Sequence, residues 1–66
     1  MSAADETREK AIIGTVKRVI AIANDNADKG FNSVDLGEYA DIDLSDKVVK
    51  KLEAEGYSLD ADNLSW

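Results

Sequence analysis

Six residues in the middle of this 66-residue chain stand at the spacing used by calcium-binding loops. Asn24, Asn26, Asp28, Gly30, Asn32 and Asp35 occupy relative positions 1, 3, 5, 7, 9 and 12. Such a loop needs oxygen ligands at those places, a glycine at the sixth for the sharp turn and a bidentate glutamate at the twelfth. Lys29 holds the sixth position and Asp35 the twelfth, and the residues beyond read as strand instead of an exit helix. The run is therefore expected to be a polar helix end followed by a turn. A second run starting at Asp41 meets Asp46 and Leu52 where glycine and glutamate are required. No metal and no cofactor is expected.

Acid–base chemistry has one candidate pair, Asp41 and Asp43, on one face of a strand. A catalytic carboxylate needs burial or a like-charged neighbour in a cleft, and a chain this short encloses little volume. The sequence has no His and no Cys. Serine and threonine hydroxyls thus lack an imidazole base, and thiolate chemistry and ordinary zinc sites are excluded. No glycine-rich phosphate loop is present. The chain is expected not to be an enzyme.

Charge offers a different kind of site. Eight basic and 14 acidic residues give a net charge of −6, which argues against direct binding to a phosphate backbone. Residues 1–23 carry +1, residues 24–46 carry −6 and residues 47–66 carry −1. The excess is local, and Asp35, Asp41 and Asp43 are its candidate contact residues. A single-sign surface can keep a small domain in solution or steer a basic partner toward it.

These side chains need elements to position them. Ser2 is placed to cap a helix, with Asp5 at its third position. Ile12, Ile13, Val16, Val19, Ile20, Ala23 and Ala27 then fall in a sector of roughly 120°, the width of a core-facing stripe. Lys29-Gly30 supplies the stop, so a helix is predicted from about residue 3 to 28. Ala4, Ala11, Thr15 and Ile22 form a second stripe off that face, which is expected to meet a protein partner. Residues 32–44 alternate with period two and predict two short strands or one irregular strand. Ser45 caps a second helix over 46–55, with Leu44 and Val49 as a hydrophobic staple and Asp46 placed to pair with Lys50. Gly56 ends it, bringing Tyr57 to Leu52. Tyr57 and Leu59, then Leu64 and Trp66, read as a hairpin around a four-residue loop, Asp60 to Asn63. Trp66 is expected against Tyr57, Leu52 or the first helix. The prediction is a single α+β domain over residues 1–66, ordered α–β–α–β–β, with two helices on a small antiparallel or mixed sheet.

The runs Ser33-Val34-Asp35-Leu36 and Leu44-Ser45-Asp46-Lys47-Val48-Val49-Lys50-Lys51-Leu52-Glu53-Ala54-Glu55-Gly56-Tyr57, with the closing Leu64-Ser65-Trp66, resemble a type of small protein encoded by tailed bacteriophages. The resemblance covers about half the chain and brings no catalytic residues. It implies a virion-associated or assembly component that acts by protein–protein binding, to itself or to another virion protein. The acidic stretch supports an alternative, a soluble inhibitor or nucleic-acid mimic that binds a basic host protein. Neither reading involves a membrane or a small-molecule substrate. The longest uncharged run, Val19 to Asn24, is far short of the ~20 residues that span a bilayer. The first residues lack the basic and apolar regions of a secretory signal, so host cytoplasm or virion is the expected location.

Overall fold

The computed structural model describes residues 2–66; Met1, the first residue of the expected domain, lies outside them. Helix α1 runs Ala3–Asp28, strand β1 Ser33–Asp35, a 3-10 turn Leu36–Glu38, helix α2 Asp46–Ala54, strand β2 Ser58–Asp60 and strand β3 Asn63–Ser65. The order is α–β–α–β–β and the class α+β, as the sequence pattern implies.

Local chemistry sets the helix ends. At the start of α1 the Ser2 hydroxyl accepts from the Asp5 amide at 3.2 Å, and the Asp5 carboxylate accepts from the Ser2 amide at 3.5 Å. That reciprocal capping box satisfies two donors that have no partner inside the helix. Both helices stop in the same way. Gly30 has φ +91° and Gly56 φ +95°, which a side chain would resist. The following amides, of Phe31 and Tyr57, donate back to the Asn26 and Leu52 carbonyls at 3.0 and 3.1 Å. The glycine amides donate to Ala27 and Glu53 at 2.9 and 3.0 Å, completing two Schellman motifs. Ser45 does occupy the N-cap of α2, but its side chain makes no capping hydrogen bond. No Asp46–Lys50 ion pair forms among the described residues.

The sheet is wholly antiparallel, in the order β1-β3-β2. Its register stacks three rows across the strands: Ser33–Ser65–Ser58, Val34–Leu64–Leu59 and Asp35–Asn63–Asp60. Alternation sends the middle row toward the helices and leaves serines and carboxylates on the open face. Neutral Asn63 separates two aspartates whose direct opposition would be destabilising. The buried core is Val16, Val19 and Ala23 of α1, Leu36 of the 3-10 turn, Val48 and Leu52 of α2, and Leu64 of β3. Fully burying a Val or Leu side chain stabilises by about 1.5–3 kcal/mol, so these few residues carry most of the fold. Among the described residues no polar or charged one is buried.

Three expectations are corrected. The period-two stretch yields only one short strand, because Asp35 turns the chain. Its carboxylate accepts from the Gly37 amide at 2.9 Å, an Asx turn that competes with strand pairing. The Tyr39 amide then reaches the Leu36 carbonyl, and the Ile42 amide the Tyr39 carbonyl. Leu36, Tyr39 and Ile42 meet the core three residues apart, on successive turns. The hairpin loop has two residues, Ala61 and Asp62, since Asp60 and Asn63 are paired; Ala61 takes the positive φ, +55°, that such tight loops use. In α1, Ile13 is 44% exposed and Ala27 is exposed, whereas Ile22 packs against the core.

Candidate functional site

Helix α1 is far longer than the body it serves. At 1.5 Å per residue its 26 residues span about 39 Å, nearly the full 42 Å of a molecule only 18 by 17 Å in section. Its first buried residue is Val16, and Ala3 to Ala11 are exposed throughout. About two and a half turns of helix thus stand beyond the core, since Ile12 already packs against it. A helix of that length is marginal without tertiary packing, so its local bonds matter. The capping box is one. Arg8 pairs with Asp5 at 3.0 Å, and Thr7 and Thr15 donate to the Ala3 and Ala11 carbonyls at 3.0 Å. Gly14 works against them: a Cβ there would meet nothing, and glycine in a helix interior costs about 0.5–1 kcal/mol relative to alanine.

One ridge that starts on these turns and runs past Val16 is distinctive. Glu9, Ile13 and Lys17 are four residues apart and lie on one line along the helix. Glu9 and Lys17 are exposed and belong to none of the ion pairs among the described residues. Ile13 is the large exposed apolar side chain of α1. The sequence stripe placed it in the core because it lies at the edge of the 120° sector; that edge position is the signal for its exposure.

The expected contact residues sit elsewhere. Ala4 and Ala11 are exposed and Thr15 is half-buried, about half a turn around α1 from the Ile13 ridge. Ile22, thought to have no core role, is partly buried against the core. It flanks Val19 and Ala23 closely enough to share their packing, so the second stripe loses its largest member.

The acidic residues do not form one free face. Asp35 is spent on the Gly37 amide. Asp41 receives the Arg18 guanidinium of α1, and Asp25 pairs with Lys29 at 3.2 Å. Arg18 holds the Asp41 carboxyl below its ordinary value, chiefly through that hydrogen bond, against a smaller opposing desolvation. Asp43 is exposed. The residues at calcium-loop spacing are wound into α1 through Asp28, where each two-residue step turns about 200°, so their side chains fan apart. Asn26 donates to the Ile22 carbonyl at 2.9 Å. Among the described residues no group of three or more acidic side chains is close enough to hold a metal ion.

A shallow concavity of about 220 Å3 lies at the other end of α1, between Ala23, Asn24 and Ala27 on one side and Glu55, Gly56, Tyr57 and Trp66 on the other. Two of the lining residues form an aromatic pair: Tyr57 and Trp66 meet edge to face at 6.3 Å and 78°, and Tyr57 was one of the three neighbours expected for Trp66. The Trp66 amide donates to the Asn32 carbonyl at 3.2 Å, anchoring the ring beside β1.

Among the described residues no helix is long and apolar enough to cross a membrane. No family model matches the chain, and neither a curated protein nor a solved structure does.

Proposed function

We propose that this protein acts without catalysis, as an assembly component that works by protein–protein contact through the projecting half of α1. The observation that carries the reading is the exposed Glu9–Ile13–Lys17 ridge, which starts on the helix turns beyond the core and ends beside buried Val16. The ridge is self-complementary. Two copies of α1 crossing antiparallel about Ile13 bring Glu9 of each against Lys17 of the other, while the two isoleucines meet at the axis. A two-fold interface needs this kind of self-match, and a parallel pairing would oppose like charges. The first partner is therefore a second copy of the chain.

One ridge buries far less than the ~1,200 Å2 of a stable interface, so the pairing is weak and suits a component that is repeated in a larger assembly. The resemblance of the second half to small tailed-phage proteins supports a virion setting. The alternative of an acidic inhibitor is less well supported, since Arg18 and Lys29 already neutralise Asp41 and Asp25. Sedimentation equilibrium at rising concentration tests the reading. Association is expected for the parent chain, lost in Ile13→Glu and kept in Ala11→Glu. The opposite pattern would move the contact to the Ala4–Ala11–Thr15 stripe, and a strict monomer at millimolar concentration would end the proposal.

A further inference from the structure

The concavity at the far end of α1 has a chemistry of its own. Its lining includes one carboxylate, Glu55, one carboxamide, Asn24, and two aromatic rings, and it includes no basic side chain. Glu55 is the C-cap of α2, so the partial negative charge of that helix end adds to its carboxylate. Lys51, one turn back, is not paired with Glu55 among the described residues. Trp66 is 39% exposed. Negative charge beside aromatic rings is the environment that a planar guanidinium fills best, stacking on a ring while its fork meets a carboxylate. The volume is that of one long side chain, well below the 300–1,000 Å3 of ordinary small-molecule pockets.

We infer that the Tyr57–Trp66 notch, with Glu55 at its rim, receives an arginine side chain from a basic segment of a partner protein. The site is separate from the α1 ridge: Ala23 lies about 15 Å along the helix from Ile13 at the ridge's centre. It also gives the net charge of −6 a role in bringing a basic segment to the surface. Asn24 supplies a carboxamide oxygen for a second N–H of the fork.

Trp66 is the chain's single tryptophan, so its fluorescence reports the notch directly. The probes are acetyl-Gly-Arg-Gly-amide and its lysine and citrulline counterparts, titrated at low salt. Saturable quenching is expected with the arginine peptide, weaker quenching with lysine and none with citrulline. Glu55→Gln is expected to weaken the arginine peptide about tenfold, the loss of one charge-assisted hydrogen bond. Glu53→Gln removes the same charge on α2 outside the notch and is expected to leave binding unchanged. Both positions are exposed, and unchanged circular dichroism confirms that the variants fold. Equal loss in the two variants, equal binding of the citrulline peptide, or quenching that never saturates would each overturn the assignment.

Discussion

Replacing Leu64 by alanine, beside a matched replacement of Ile13, separates the core of this protein from its projecting helix. Leu64 is fully buried on the central strand, between Val34 and Leu59. It sits where neither strand nor helix can close in after truncation, so Leu64→Ala is expected to cost roughly 3–5 kcal/mol, the upper part of the range for buried leucines. A 66-residue domain has about 3–10 kcal/mol in all. The variant should thus lose a large share of its stability. Ile13 is already 44% exposed, and alanine is the better helix former by a few tenths of a kcal/mol. Ile13→Ala is expected to cost less than about 1 kcal/mol. Urea unfolding followed by far-ultraviolet circular dichroism measures both, at a concentration low enough that self-association adds nothing. The slope against urea should be unchanged in Ile13→Ala, because the same surface is exposed on unfolding. A comparable loss in the two variants would refute the division into a packed base and an unsupported half of α1.

Other outcomes follow from the same geometry. Gly14→Ala is expected to raise the melting temperature, by about 0.5–1 kcal/mol of stability, because the new methyl meets open space. Ala61→Gly should stabilise by up to about 1 kcal/mol, since φ +55° strains a side chain; a loss in thermal unfolding would contradict it. By carbon-detected NMR titration the Asp41 carboxyl should ionise below its ordinary 3.8, and Arg18→Gln should return it toward that value. A carboxyl depressed by folding contributes stability above its unfolded value and loses it as pH falls through the folded one, so the Arg18 contribution should fade on the acid side of pH 3.8.

What was legible in the sequence was whatever local chemistry decides. Ser2 with Asp5, and the glycines at 30 and 56, specify their helix ends within a few residues, so both helices were readable. The Tyr57–Trp66 contact followed from the hairpin alternation. Residues 36–44 were not readable, because Asp35 bonding to the Gly37 amide is a local competitor of strand pairing that alternation does not register. The loop of the hairpin was misjudged for a tertiary reason: β3 is also paired to β1, which favours full pairing out to Asn63. In α1 the wheel gave the right side of the helix but not its depth. Ile13 lies at one edge of the stripe and Ile22 beyond the other, and which side is covered depends on where the sheet and α2 sit, about halfway along the helix. The candidate ridge needed that knowledge, since Glu9 and Lys17 are ordinary surface charges until Ile13 between them is exposed.

The chain has no cysteine, which makes directed cross-linking the most direct test of the contact between copies. Glu9→Cys and Lys17→Cys variants, mixed in equal amounts and oxidised gently, are expected to give mainly the mixed disulfide, because antiparallel pairing about Ile13 sets these two positions face to face. Mixing Lys17→Cys with Glu38→Cys, outside the ridge, should give no such preference. A statistical mixture of disulfides from the Glu9 and Lys17 pair, unchanged by adding Ile13→Glu to both chains, would contradict the account.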